Sequence, residues 1–411
     1  MRMLLKEISN RPIVVWGARM TGIGFLKLAE IHSLNIVGIV DSDPTLHNQR
    51  LRGYFISNPS HILDLASSYN DLIIVITNTV QKESTDYSIS RLGLPSNIVI
   101  LEYSSLCSIQ YVIDISGVCN LKCPSCARSI DSIHNPVGFM SVDDYQNILD
   151  KIIQDSPYTN YVCLYSWGEP LLHKNLNAII EYTHSKGIAV AISTNLSIDI
   201  PNCINDLIKL APDYLKISVS GYYPDVYNTT HTGGNIDLVK SNLYRLRYLV
   251  DKYNSDTFIE VNYHMYKNNI GIDLQKFKDL CNDLKFVFSQ CTAFIAPVER
   301  LVQYCEAKGE SNDLAIISLC IADPAYLISS KPYSMACPLL TNQININWDR
   351  SVSLCCASYI RQNTTVSNDY LRTTQDEITE SKRNHRLCSI CKKYSIPSYF
   401  LENNQKIWQN G

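Results

Sequence analysis

The sequence predicts an α/β protein made of two successive parallel sheets and a small cysteine-bearing C-terminal unit. Three observations carry this. Apolar runs rich in β-branched residues alternate with helix-period segments from residue 12 to about residue 297. The first run ends in a glycine-bearing turn, Gly17 to Gly24. After Pro297 the alternation stops, and cysteines recur in a new pattern.

With 411 residues, 45% of them hydrophobic and 18% charged, the chain can bury a large core and form two or three domains. A net charge of -3 leaves no basic footprint, so nucleic acid is not an expected partner. No apolar run approaches a membrane span, and Met1-Arg2-Met3-Leu4-Leu5-Lys6-Glu7 is too short and polar for a signal peptide. Neither membrane association nor secretion is expected. Fifteen cysteines without a secretory signal then point to reduced thiols and metal ligation in a cytoplasmic protein.

In the first segment, residues 1–107, Ile13-Val14-Val15-Trp16 is an apolar strand that runs into the glycine turn. A helix pattern follows to about His32, then a second strand that ends on Asp41. Leu72 to Thr77 and Asn97 to Leu101 are further parallel strands. Strand, glycine turn, helix and a terminal acidic residue describe a Rossmann-like unit. Arg19, however, stands where the fingerprint needs a second glycine, which argues against ordinary dinucleotide binding. Two readings stay open. Arg19 reaches a phosphate and Asp41 a ribose hydroxyl, or the domain docks against its neighbour and binds nothing small.

The second segment, residues 108–325, has strand candidates at 111–116, 161–166, 189–194, 214–220, 258–266 and 284–295. Helical patterns lie between them, such as Ser141 to Gln154 with Ser141 as N-cap. Six βα units in one run suggest a (β/α)6 partial TIM barrel with its chemistry at the C-terminal strand ends. In the fourth strand, alternation puts Lys216, Ser218 and Ser220 on one face, which a ring of helices turns into the lumen.

The stretch Cys119-Asn120-Leu121-Lys122-Cys123-Pro124-Ser125-Cys126 follows the first of these strands. Three thiolates at C-x3-C-x2-C spacing ligate three irons of a cubane cluster and leave the fourth iron open. The competing reading is a structural zinc site, which wants a fourth ligand and paired knuckles. The spacing resembles that of the radical S-adenosylmethionine (SAM) superfamily. Ser166-Trp167-Gly168-Glu169-Pro170 is similar to that family's GGEP motif, with Trp167 in place of the first glycine.

The resemblance implies a SAM-binding 4Fe–4S cluster on Cys119, Cys123 and Cys126. It further implies that SAM is contacted by Gly168, Glu169 and Pro170 and by Ser193, Asn195, Ser218 and Ser220. The tract from Ser220 through Tyr227 and His231 to Gly233-Gly234 resembles a stretch common in relatives with a C-terminal cluster domain, but lacks its acidic residue. Tyr227 and His231 are read as loop packing.

In the third segment, residues 326–411, Cys337, Cys355-Cys356 and Cys388-Ser389-Ile390-Cys391 surround a β-hairpin pattern centred on Asp349-Arg350. This β-hairpin plus helix unit resembles the SPASM/twitch extension of radical SAM enzymes. The resemblance implies one auxiliary 4Fe–4S cluster on Cys337, Cys355, Cys388 and Cys391, with Cys356 spare. A zinc ribbon is the alternative that spacing leaves open.

The reaction implied is reductive cleavage of SAM and hydrogen-atom abstraction from a substrate carbon, with a flavodoxin or ferredoxin as electron donor. The N-terminal domain resembles those beside sugar-modifying and glycan-assembly enzymes. It favours a small, sugar-type substrate: a nucleotide sugar, an aminocyclitol or a glycosylated metabolite. It is expected to serve substrate capture, so that a chain beginning near Cys107 would still cleave SAM.

Two outcomes are open, dehydrogenation through the auxiliary cluster or epimerisation through a thiol. Four cysteines committed to a closed cluster favour the first. Cys163 and Cys291 are the candidate thiols, and Lys216 or His264 the candidate lumen base. The other cysteines, among them Cys107, Cys203, Cys281, Cys305 and Cys320, read as small buried hydrophobes. Modification of a ribosomal peptide is the alternative enzymatic reading. An iron–sulfur scaffold or sensor is the non-enzymatic one, and the retained Gly168-Glu169-Pro170 argues against it.

Overall fold

The computed structural model describes residues 8–77, 82–129, 137–307, 311–329 and 331–400. The first seven residues, read above for a signal peptide, lie outside them. No helix among the described residues is long and apolar enough to cross a membrane.

The first sheet has six strands: β1 (Ile13–Trp16), β2 (Ile36–Val40), β3 (Arg50–Leu51), β4 (Tyr54–Ser57), β5 (Ile73–Ile76) and β6 (Val99–Glu102). Their order is β3-β4-β2-β1-β5-β6, parallel apart from the β3–β4 hairpin. The sequence reading missed that hairpin, because its strands are too short to alternate. Its signal is the turn itself, where Arg52 and Gly53 both take positive φ. The central strands are buried on both faces, as continuous apolar runs such as Ile13-Val14-Val15-Trp16 require.

The second sheet begins with six parallel strands: β7 (Gln110–Ile113), β8 (Tyr161–Cys163), β9 (Ala189–Thr194), β10 (Tyr214–Val219), β11 (Phe258–Met265) and β12 (Val287–Thr292). The helix Val142–Asp155 starts as the sequence predicts, with Ser141 Oγ accepting from the Asp144 N–H. The C-terminal hairpin, β13 (Gln343–Ile346) and β14 (Val352–Ser353), turns at Arg350 with positive φ. It does not stand apart. β13 pairs in parallel with β7, and with β15 (Thr365–Ser367) the sheet reaches nine strands. The cysteine-bearing segment is thereby fixed to the barrel beside the strand that feeds Cys119.

The two sheets share one core. Apolar side chains of the helix Met20–Ile31 and of the first sheet cluster with Val112, Tyr161, Cys163, Ala189, Tyr214, Phe258 and Val287, at the starts of the barrel strands. The N-terminal domain therefore closes the barrel's floor, at the end opposite Cys119. Polar contacts rivet it there. The Asn160 amide donates to the Thr21 carbonyl at 3.1 Å, and buried Asp213 gathers Lys27, Arg52 and His184.

The Asp41 carboxylate accepts from the Ala18 N–H at 2.7 Å and the Asp43 N–H at 2.8 Å. Arg19 turns into the barrel, to Glu260 at 2.5 Å, and to Asp43 at 2.7 Å. Both groups expected to meet a nucleotide are engaged within the protein.

Candidate active site

β7 runs out into the cysteine loop, which is held by backbone contacts from several elements. The Lys122 N–H donates to the Thr232 carbonyl, the Ala296 N–H to the Ser125 carbonyl, and the Arg300 guanidinium to the Pro124 carbonyl. Arg128 donates to the Gly117 carbonyl at 2.7 Å and to the Tyr359 hydroxyl at 3.0 Å. The rings and glycines fit closely. A Cβ on Gly117 or Gly138 would strike Trp348 of the hairpin turn, and one on Gly168 would strike the Ser116 carbonyl.

Cys119, Cys123 and Cys126 are brought together on this loop, and burial pushes all three thiols up, Cys119 to about 11. The Leu121 N–H approaches Cys119 Sγ at 3.5 Å, and the Arg128 N–H approaches Cys126 Sγ at 3.4 Å. Such N–H donors suit sulfurs that carry charge once a metal binds and the protons leave. Among the described residues, no three His, Cys, Asp or Glu side chains converge on a single metal-ion position.

Glu169 is buried at the end of β8. Its Oε1 accepts from the Leu171 N–H at 3.0 Å and its Oε2 from the Asn195 N–H at 2.9 Å. Burial nevertheless pushes its carboxyl up to about 7. Both oxygens keep lone pairs for a further donor. Asn195 donates to Asn120 at 2.9 Å and lies 3.9 Å from Cys119 Sγ, so it belongs to the cluster loop's surroundings.

Ser193 and Ser218 sit half-buried on inward-facing positions of β9 and β10. Ser220 does not join them. It is fully buried, and its hydroxyl is taken by Thr230 and His231, so it packs the loop and offers nothing to the lumen.

The two candidate thiols differ. Cys163 is fully buried in the core shared with the N-terminal domain, 3.5 Å from Met20 Sδ, and burial raises its thiol. It packs into the floor of the barrel, covered by the first domain. Cys291 is half-buried on β12, opposite His264, and donates to Asn262 Oδ1 at 3.2 Å. The Lys216 ammonium stands 5.2 Å from the centre of the Tyr165 ring. Burial, aided by the Lys216 charge, lowers His264 to about 4, which keeps the imidazole neutral near pH 7.

In the C-terminal segment, Cys337, Cys355, Cys388 and Cys391 all line one cavity of about 60 Å³, walled by Leu339, Leu354 and Leu387. Cys356 does not line it, and its N–H reaches the Gln343 side chain instead. Lys382 is buried beside these thiols, with its ammonium donating to the Gln343 carbonyl at 2.5 Å.

Sequence reasoning missed several residues. Asp114, buried and pushed up to about 6, accepts from the Trp167 and Gly168 N–H groups and so fixes the second motif to the first strand. Its signal was a lone carboxylate in the apolar run Tyr111 to Ser116. Arg128, Arg300 and Trp348 carry no comparable local signal.

Comparison with known proteins finds partial likenesses. The chain is 27% identical over 128 residues to the Fe-coproporphyrin III synthase of Methanosarcina barkeri (strain Fusaro / DSM 804), 31% of each chain. It is 24% identical over 108 residues to the AdoMet-dependent heme synthase of the same organism, 26% of this chain and 30% of that one. The chain thus spans about a third of the length of these curated relatives. Solved structures with partial likeness include BtrN in complex with AdoMet and 2-DOIA (14% identity, TM-score 0.36, 72% of this chain and 88% of that one). Another is Streptococcus suis SuiB bound to S-adenosylmethionine (14% identity, TM-score 0.45, 69% and 65%). The family model of the radical SAM superfamily matches residues 113–269, the span that holds the cysteine loop, the Trp167-Gly168-Glu169-Pro170 turn and β8 to β11, and the chain therefore carries a radical SAM domain, with SAM and a 4Fe–4S cluster as its cofactors.

Proposed function

We propose that this radical SAM enzyme abstracts a hydrogen atom from a carbon of a sugar-type substrate in the barrel lumen. Cys291 then returns a hydrogen atom to the opposite face of that carbon, which makes the net reaction an epimerisation. The observation that carries this reading is the setting of Cys291. It is a half-buried thiol, hydrogen-bonded to Asn262, on the same inward face as Ser218, His264 and Lys216. Hydroxyl, amide and ammonium groups over a closed floor suit a compact polyol, whose own hydroxyls need partners.

Cys119, Cys123 and Cys126 would hold the SAM-binding cluster, with Glu169, Asn195, Ser193 and Ser218 about SAM. Cys337, Cys355, Cys388 and Cys391, which line one cavity, would hold an auxiliary cluster. When bound, the first group with SAM supplies a 5′-deoxyadenosyl radical, and the second a one-electron relay. The chain's own part is positional. Arg128 and Arg300 bring positive charge to Cys126, Asp114 locks the Gly168 turn, and burial keeps His264 neutral. In the return step the Cys291 S–H bond breaks and a substrate C–H bond forms. One electron from a flavodoxin or ferredoxin class donor and one proton from water then restore the thiol.

Dehydrogenation is the second reading, and the four-cysteine cavity favours it. The substrate radical would pass its proton to His264 and its electron to an iron–sulfur acceptor. A panel of nucleotide sugars and aminocyclitols, scored for acceleration of 5′-deoxyadenosine release by the reconstituted protein, tests the substrate class. Acceleration by at least one member is expected. No acceleration across the panel, together with acceleration by a short peptide encoded beside this gene, would overturn it in favour of peptide modification.

A further inference from the structure

We infer that Arg19 of the N-terminal domain is a positioning residue for the Cys291 thiol, acting through Glu260, Ser289 and Asn262. This rests on the thiol-return reading given above. Three links are hydrogen bonds, Arg19 to Glu260, Asn262 to Ser289 and Cys291 to Asn262, and Ser289 and Glu260 lie near each other on the paired strands β12 and β11. The Cys291 thiol donates to Asn262 Oδ1 at 3.2 Å, and the Asn262 amide donates to Ser289 Oγ at 2.8 Å. The Ser289 hydroxyl, so engaged as acceptor, has its own proton free for the Glu260 carboxylate, which it helps hold ionised.

Glu260 is the anchor of the line. It is buried, which alone would push its carboxyl up. The Arg19 charge, with hydrogen bonds from Ser289 and Tyr214, more than offsets this and holds it below the usual carboxylate range. Arg19 Nη1 and the Tyr214 hydroxyl both meet Oε2 at 2.5 Å, and Asp43 fixes the other arm of the guanidinium at 2.7 Å.

An ionised Glu260 can only accept, so the Ser289 proton points to it, the Asn262 amide must present its nitrogen to Ser289, and its oxygen is left for Cys291. The line thereby fixes the thiol as an S–H with a set orientation. Without Arg19 the buried carboxylate would lose its counter-charge and take up a proton, and the Ser289 hydroxyl would no longer have an acceptor-only partner.

Asp41 takes the Ala18 N–H of the N-terminal domain's glycine turn, and that turn delivers Arg19 to the barrel floor. Orientation of a hydrogen donor is worth a large factor in rate, since a misplacement of about 1 Å costs on the order of a hundredfold.

The test uses the full chain. The groups facing Cys291 are Lys216, Glu260 and Asn262, with His264 opposite it in register and Tyr266 in electrostatic contact with it. The first readout is the pH profile of Cys291 alkylation by iodoacetamide in the protein before cluster loading, followed by peptide mass spectrometry. The second is the number of product molecules inverted per 5′-deoxyadenosine released by the loaded enzyme.

Arg19→Met should displace the alkylation profile and lower the inversion ratio about tenfold, with Arg19→Lys restoring most of both. Ser289→Ala cuts the line inside the barrel, away from the domain interface, and should lower the ratio similarly in a protein of unchanged melting temperature. An unchanged profile in Arg19→Met, or an unchanged ratio in Ser289→Ala, would overturn the inference. The thiol-return reading fails separately, if Cys291→Ala still gives inverted product.

Discussion

The Lys27 ammonium of the N-terminal domain stands 3.0 Å from the Asp213 carboxylate at the foot of β10. Arg52 and His184 join the same carboxylate, and the Val190 N–H donates to it at 2.9 Å. Two domains that the sequence presents in succession are thus one packed unit.

The first prediction concerns that unit. A chain beginning near Cys107 would expose the barrel's floor, including Tyr161, Tyr214 and Phe258, and is expected to be insoluble or aggregated. Sequence alone led to the opposite expectation, a truncated chain that still cleaves SAM. Size-exclusion chromatography of the truncated chain decides between them.

A second prediction follows from Asp213 itself. Burial pushes its carboxyl up, but the His184 bond and the Lys27 charge more than offset this, and the net shift is downward. A carboxylate depressed in the folded state contributes stability above its unfolded value of about 4, lost as pH falls through the folded value. Thermal stability should therefore fall steeply below about pH 4. Asp213→Asn should lose roughly 3 kcal/mol at pH 7 and show a smaller loss in acid.

The third prediction concerns SAM. Glu169 is raised to about 7 in the SAM-free protein, mainly by burial. Only its ionised form can face the SAM ammonium, and that form is depleted below the raised value. SAM affinity measured by calorimetry should weaken about tenfold from pH 8 to pH 6, the ratio of ionised fractions for a group titrating at 7. Glu169→Gln should bind weakly at both. A pH-independent affinity in the unaltered protein would remove Glu169 from the SAM site.

Iron content gives the fourth. Reconstituted protein should hold about eight irons, from two 4Fe–4S clusters. Replacing Cys119, Cys123 and Cys126 by Ala should remove about half of them and all SAM cleavage. Cys355→Ser should disturb the other half, whereas Cys356→Ser should not, because only Cys355 lines the four-cysteine cavity. Zinc at that cavity would contradict the auxiliary cluster.

Much of this was legible in the sequence where the signal is local. The strand runs, the Ser141 cap and the two cysteine spacings each lie within a few residues, so periodicity and ligand counting reach them. What escaped depends on contacts between distant segments. β13 looks like half of a free hairpin until it pairs with β7, and Cys163 looks like a lumen thiol until Met20 covers it. The choice between Cys355 and Cys356 turns on the backbone direction after β14, which spacing does not encode. Asp114 alone was readable and overlooked, as a carboxylate that an apolar strand would not carry without a partner.

The central claim is that Cys291 returns a hydrogen atom to a substrate radical, and product formed in heavy water tests it most directly. A thiol exchanges with solvent, so the account predicts an inverted product with one solvent deuterium at the inverted carbon, formed by the unaltered enzyme and lost in Cys291→Ala. A ketone product, with no hydrogen left on that carbon and formed equally well by Cys291→Ala, would contradict it.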